Sequence, residues 1–165
     1  MSSDSDTGAA AIASRSAFTQ AALTLLTALP ESKPRQLLIV DADFGPWPLG
    51  EAAVVDALTQ WARLPGRHLR LMGLRFDVLE RDQPRLAVWR RHFAHVLECC
   101  TPTDVEATDM PSLLLADGAA LELVDRERFV ARRTDDRRAL VLLRERTDAL
   151  LQRSQPAWPV TNLGL

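Results

Sequence analysis

Lysine is nearly absent from this chain of 165 residues, which contains Lys33 as its single lysine beside 19 arginines. P-loops, Schiff-base enzymes and the Ser-x-x-Lys hydrolases each need a lysine at a fixed place. Lys33 lies in a segment flanked by Pro30 and Pro34, and none of those motifs surrounds it. The seven glycines form neither a Gly-x-Gly-x-x-Gly fingerprint nor a Gly-x-Ser-x-Gly elbow. These five chemistries are therefore not expected here.

Cysteine is also scarce, because the chain has only Cys99 and Cys100, which are adjacent. Neighbouring residues can form a disulfide only with strain, so we expect two reduced thiols, as is usual in the cytosol. No apolar run reaches the roughly 18 residues needed to span a bilayer. The first residues are acidic and polar, unlike the basic start of a signal peptide. The expected location is the cytoplasm, with no membrane span.

The remaining composition is that of an ordinary globular domain, with 47% hydrophobic and 25% charged residues. A chain of this length is typical of one domain with a real core. Residues 1–13 are rich in Ser, Asp, Gly and Ala and are expected to form a flexible tail. We expect the domain over 14–155 and a second, patternless tail over 156–165.

Charge is close to balanced, with a net value of -2, but it is unevenly distributed. Eight of the arginines lie within residues 63–92, and the following stretch, 93–124, is purely acidic. The Arg-rich segment could hold a phosphate group, or it could be a solvated face neutralised by its acidic neighbour. Since non-specific nucleic-acid binders usually carry a basic excess, nucleic acid is not the expected partner. The candidate anion-binding residues are Arg70, Arg75, Arg132 and Arg133.

Hydrophobic periodicity predicts an α/β fold with a mixed sheet and helices on both faces. The expected strands cover residues 36–41, 68–74, 96–100, 112–116, 120–124 and 128–132. The expected helices start at Ser14 or Ser16 and end before Pro30, and then cover about 51–63, 83–95 and 135–151. The dipeptide Asp117-Gly118 is a hairpin signal between two of the strands.

Asp41 and Asp43 directly follow a buried strand, at the end where open α/β sheets bind ligands. A strand that ends in Asp-x-Asp resembles the start of haloacid dehalogenase-type phosphatases, in which the two carboxylates act beside a magnesium ion. That family also needs a downstream lysine, which is missing, and Gly45 stands where it has Thr or Val. The alternative is that the two aspartates only end the strand and cap the loop.

His92, His95 and Cys99 would share one side of a helix if that helix continued to residue 99. Imidazole and thiolate are zinc ligands, but no fourth ligand is evident. A change from helix to strand near Val96 would also separate the three. We therefore expect packed or solvated histidines and structural cysteines, with no metal and no cofactor.

The segment from Met110 to Gly118 runs from a loop into an apolar strand and leaves it through Asp-Gly. This frame resembles the His-x-Lys-x-x-x-x-Asp motif of phospholipase D-like domains, with Met110 at the His, Ser112 at the Lys and Asp117 at the Asp. The order of elements also resembles one phospholipase D-like half. In active members the His attacks phosphorus and the Lys holds a phosphate oxygen. Since neither residue is present, the resemblance implies a degenerate site.

A narrower resemblance rests on Asp136-Arg137-Arg138-Ala139-Leu140 at the start of the last helix and on Arg153-Ser154 after it. These short motifs resemble a small proteobacterial domain of unknown function that is related to phospholipase D. That domain occurs alone or appended to acetyltransferases, so the resemblance implies an acetyltransferase or another protein as a partner.

The expected role is thus a non-catalytic binding or interaction module. One alternative is phosphate or nucleic-acid binding through the 63–92 arginines, and another is a metal-dependent phosphohydrolase that uses Asp41 and Asp43. Phospholipase D-like folds work as two halves, which implies a homodimer for a chain of this length. The strand Leu113–Leu115 is apolar on both faces and needs cover on each.

Overall fold

The computed structural model describes residues 10–159, which form one eight-stranded mixed sheet and six α-helices. The strands are β1 (Ala10–Ala13), β2 (Gln36–Val40), β3 (His68–Met72), β4 (Leu97–Pro102), β5 (Leu113–Leu115), β6 (Ala120–Asp125), β7 (Val130–Thr134) and β8 (Ser154–Pro156). The helices are α1 (Arg15–Thr27), α2 (Leu29–Ser32), α3 (Ala52–Ala62), α4 (Asp77–Asp82), α5 (Pro84–His92) and α6 (Arg137–Leu151). A 3-10 turn covers Ala107–Asp109.

The sheet order is β1-β7-β6-β5-β2-β3-β4-β8. The three central strands β2, β3 and β4 are parallel, and all other neighbours are antiparallel. Because parallel neighbours need crossover connections, helices α3, α4 and α5 lie between these central strands in the chain. The carboxyl end of β2, where Asp41 lies, is therefore at the centre of the sheet edge.

Helices cover both faces of the sheet, as the sequence predicted. Alternate residues of each strand belong to two separate cores, because successive side chains point to opposite faces. Helices α1 to α5 pack on the face that carries Leu37, Ile39 and Leu114. Helix α6 packs on the other face, against Leu113 and Leu115. The chain's own helices thus cover both sides of β5, and this strand does not require a second subunit.

Helix ends follow the local signals in the sequence. The Ser14 hydroxyl accepts a hydrogen bond from the N–H of Ala17 and caps α1, and the Asp136 carboxylate does the same for α6 through Ala139. Pro30 lies in the first turn of α2, directly after α1. The sequence left Ser14 and Ser16 open as the cap of α1, and Asp135 and Asp136 open as the start of α6; Ser14 and Asp136 are the caps.

Two edge strands lie at the expected limits of the domain: β1 falls within the expected N-terminal tail, and β8 crosses the expected start of the second tail at residue 156. Residues 10–13 form β1 on β7, and residues 154–156 form β8 on β4. Trp158 follows β8, stacks on Phe76, and lies under the Arg90 guanidinium, whose carbon is 3.9 Å from the ring centre. The prediction missed these strands because three or four residues without alternation carry no periodic signal. Residues 1–9 and 160–165 of the expected tails lie outside the described residues.

The helix expected over residues 83–95 is also different. A separate helix, α4, precedes it, and α5 begins at Pro84 and ends at His92. Proline at the first turn of α5 has no N–H to donate to α4, so the two helices cannot merge. Within residues 10–159, no helix is long and apolar enough to cross a membrane.

Candidate functional site

Asp41 is completely buried at the end of β2. Its Oδ2 accepts hydrogen bonds from the backbone N–H groups of Asp43, at 3.1 Å, and Phe44, at 2.7 Å. The chain therefore turns sharply after the strand, with the aspartate as the acceptor of an Asx-type turn. Both carboxylate oxygens also accept from Nη1 of Arg126, at 2.9 and 2.8 Å.

Arg126 lies in the turn between β6 and β7 and binds both aspartates. Its Nη2 donates to Oδ1 of Asp43, while Nη1 holds Asp41. Partial burial raises the pKa of Asp43, but the N–H of Gly45 and the Arg126 guanidinium outweigh that effect and hold the pKa below its ordinary value. The two carboxylates therefore share one cation, and we call these three residues the Asp–Arg–Asp cluster.

The Asp–Arg–Asp cluster argues against the alternative that Asp41 and Asp43 are the carboxylates of a metal-dependent phosphohydrolase. In an Asp-x-Asp phosphatase the carboxylates face a divalent cation, and here the same oxygens face a guanidinium. A magnesium ion at this position would have to displace Arg126 from a buried carboxylate. The sequence placed no function on Arg126, so this neutralisation was not predicted.

Ser112 and Met110 are both buried, on different sides of the sheet. The Ser112 hydroxyl accepts a hydrogen bond of 3.0 Å from the indole Nε1 of Trp47, which belongs to the core under α1. Met110 packs in the core under α6. The two positions that resemble the His and Lys of the phospholipase D motif therefore do not face one cleft.

Asp117 lies at the opposite end of β5 from Ser112. Its carboxylate accepts a hydrogen bond of 2.7 Å from the backbone N–H of Arg35, just before β2 begins. The sequence predicted a hairpin turn at Asp117-Gly118, and this contact ties that turn to the start of β2. Asp117 is thus a structural acceptor away from Asp41 and Ser112.

The four candidate anion-binding arginines do not converge on Asp41 and Ser112. Arg70 is bound to Glu98 at 2.8 Å, and Arg75 is bound to Asp77 at 2.7 Å. Arg132 and Arg133 are consecutive in β7, so their side chains leave opposite faces of the sheet. The structure brings Asp41, Asp43 and Ser112 to one region, and it joins Arg126 to them instead of these four arginines.

The histidine and cysteine residues that suggested zinc do not share a helix. His92 ends α5, while Cys99 lies inside β4. Both cysteines are buried free thiols. Burial raises the pKa of the Cys99 thiol to about 12, so the reactive thiolate is scarce at neutral pH.

A pocket of about 600 Å³ opens beside the Asp–Arg–Asp cluster. It is lined by the loop from Gly45 to Glu51 and by the junction of α4 and α5, including Gln83. Asp41 and Ser112 are not among its lining residues. A ligand in this pocket would meet loop backbone and Arg85, not the motif positions.

No family model matches the sequence, and no curated protein matches it significantly. Among solved structures, the chain is similar to NucT from Helicobacter pylori, a phospholipase D-family protein, with a TM-score of 0.57 and 10% identity. This match covers 91% of the chain and 99% of NucT. The likeness supports a distant phospholipase D-like fold, at an identity that carries no function.

A second similar structure is TrmBL2, described as an archaeal chromatin protein with a novel mode of DNA binding. The TM-score is 0.60 at 13% identity, and the match covers 90% of the chain. The chain spans about half the length of TrmBL2, 54% of it. This likeness too concerns the fold alone.

Proposed function

We propose that this protein is a non-catalytic phospholipase D-like domain that acts as a binding or interaction module. The observation that carries the proposal is the packing at the motif positions. Ser112 is buried with its hydroxyl held by Trp47, and Met110 is buried in the opposite core. A substrate phosphate would find no nucleophile and no cation at either position.

The chemistry of the substituted residues supports the same proposal. A methionine thioether does not attack phosphodiesters, and a serine hydroxyl needs an adjacent base to become a nucleophile. The one hydrogen bond of the Ser112 side chain among the described residues is to an indole, which is a donor and not a base. The nearby carboxylates of Asp41 and Asp43 are held by Arg126, so they are not free to act as bases.

The partner that we propose first is a second copy of this chain. The chain aligns with nearly the whole of NucT, so it has the length of one phospholipase D-like unit. An acetyltransferase is the further partner that the family resemblance implies. We place the module in the cytoplasm, because its two buried thiols are unpaired.

We expect no phosphodiester hydrolysis by the purified protein. The measurement is release of nitrophenolate from bis(4-nitrophenyl) phosphate, together with cleavage of single- and double-stranded DNA, with and without magnesium. The matched control is Ser112→Ala, which removes only the hydroxyl. Turnover that rises with protein concentration and disappears in Ser112→Ala would overturn the proposal, as would magnesium-dependent turnover that disappears in Asp43→Asn.

Nucleic-acid binding is a second candidate, and the similarity to TrmBL2 is the observation that favours it. Four exposed arginines at the end of β7 and the start of α6 make no side-chain ion pair with any described residue, namely Arg132, Arg133, Arg137 and Arg138. The arginines of 63–92 are weaker candidates, because Arg70, Arg75 and Arg81 are already paired. The test is binding of the single- and double-stranded DNA used in the hydrolysis assay. An affinity that falls with added salt and falls again in the double variant Arg137→Gln/Arg138→Gln would favour this candidate.

A further inference from the structure

Helix α6 is the one helix that packs on its face of the sheet among the described residues, and most of its side chains are exposed. Of its 15 residues only Thr147 is buried. Its inward leucines are only partly buried, namely Leu140, Leu143, Leu150 and Leu151. On the outer side Val141 is 49% exposed and Leu142 is 65% exposed. Large apolar side chains at consecutive exposed positions form a patch that is typical of a contact surface.

Charged residues of opposite sign flank this patch along the helix. Arg138, Val141, Leu142 and Glu145 have the spacing that places four residues on one helical stripe. Arg138 and Glu145 are both exposed, and neither makes an ion pair with a described residue. They are seven residues apart, about 10 Å along the axis, which is too far for a bond within the helix. Each charge is therefore available to a partner.

We propose that this stripe of α6 is the surface through which two copies of the chain associate. The inference rests on the proposed homodimer and adds the place and the register of the contact. The two α6 helices lie antiparallel about a two-fold axis that passes between residues 141 and 142. In that register Val141 meets Leu142 of the second copy, and Arg138 meets Glu145 of the second copy. Two-fold symmetry makes each of these contacts twice.

Charge complementarity favours a second copy as the occupant of this stripe. The stripe is basic towards the start of α6 and acidic towards its end, so it complements itself when reversed. A parallel arrangement would instead place Arg138 against Arg138, which is repulsive. Antiparallel helices also place opposite dipole ends side by side. Because the contact is centred on one helix, we expect a small interface and a dimer that depends on concentration.

Light scattering on the full chain over a range of concentrations, with the variants checked by circular dichroism, tests the proposal. The wild type should approach twice the 18.3 kDa of one chain as its concentration rises. Leu142→Glu should remain monomeric, and so should the single reversals Arg138→Glu and Glu145→Arg, because each creates two repulsive contacts. The double reversal Arg138→Glu/Glu145→Arg exchanges the charges and should dimerise again. The control is Arg63→Glu, an equal change of charge on an exposed residue after α3, which should behave as the wild type.

The outcomes separate this inference from the proposed function. A dimer that persists in Leu142→Glu would overturn the α6 surface and leave the homodimer standing. Single reversals that are monomeric without rescue by the double reversal would overturn the antiparallel register. A wild type that stays monomeric at every concentration would overturn both the inference and the homodimer, while hydrolysis of phosphodiesters tests the non-catalytic role separately.

Discussion

Replacement of Arg126 by methionine is expected to lower the free energy of unfolding by about 3 kcal/mol. The substitution leaves the carboxylate of Asp41 buried, with two backbone N–H donors but no cation beside it. Arg126 is 40% exposed, but Asp41 is fully buried. Removal of the partner of a buried charge is strongly destabilising, because the remaining charge has lost its counterion and recovers little water. The measurement is urea unfolding of the wild type and Arg126→Met at neutral pH.

The double variant Arg126→Met/Asp41→Asn should recover much of this loss. Asparagine keeps an oxygen that can accept from the N–H of Phe44, and it leaves no buried charge to neutralise. If the double variant is as unstable as the sum of the two single variants, the two groups do not interact as an ion pair. A loss below about 0.5 kcal/mol in Arg126→Met would likewise show that Arg126 does not neutralise a buried charge, because that is the range of surface substitutions.

The pH dependence should follow from Asp43. Its pKa is depressed in the folded protein, so it binds protons more weakly there than in the unfolded chain. Its contribution to stability is therefore present above the ordinary carboxyl pKa of 3.8 and is lost as the pH falls through the folded value. Since Arg126 helps to depress this pKa, the difference between wild type and Arg126→Met should shrink in acid.

Trp47→Ala is expected to destabilise the domain by about 4 kcal/mol, the range for removal of a large buried aromatic residue. Trp47 is 1% exposed and packs edge-to-face on Phe18, with ring centres 5.0 Å apart. Its indole also donates the hydrogen bond that Ser112 accepts. The substitution would remove the side chain that joins the core under α1 to Ser112 at the candidate site. Chemical denaturation would measure the loss of stability.

Trp47→Phe separates the packing from the hydrogen bond, and it serves where Trp47→Ala does not fold. Phenylalanine fills most of the space but leaves the buried Ser112 hydroxyl without its donor, so we expect a loss of about 2 kcal/mol. The double variant Trp47→Phe/Ser112→Ala also removes the unpaired hydroxyl, and it should regain part of the lost stability. Equal stability of Trp47→Phe and the wild type would show that this hydrogen bond is not made in solution.

The sequence predicted most of the sheet because its central strands are apolar runs bounded by proline, glycine or charged residues. The segments 36–41, 68–74 and 120–124 each match an observed strand to within two residues. β1 and β8 were missed because a strand of three or four residues at the edge of a sheet is stabilised by backbone pairing. Backbone pairing leaves no mark on the side-chain pattern.

The candidate site was predictable only where its members are close in sequence. Asp41 and Asp43 were found because they directly follow a strand. Arg126 is 85 residues from Asp41 and comes from an ordinary polar turn, so its role depends on how β6 and β7 lie in the sheet. Asp117 was grouped with Ser112, but the two lie at opposite ends of β5, five residue steps or about 17 Å apart along an extended chain.

Ser112, at the motif position of lysine, is buried in the core, with its hydroxyl held by the indole of Trp47. Amide and indole hydrogen exchange followed by NMR tests this burial directly at the Trp47 indole N–H. We expect this proton to exchange as slowly as that of Trp61, which is also buried and bound to the Pro34 carbonyl. Exchange of the Trp47 proton as rapid as that of an exposed indole would show that Ser112 is open to water and would overturn the proposal that this site is buried and non-catalytic.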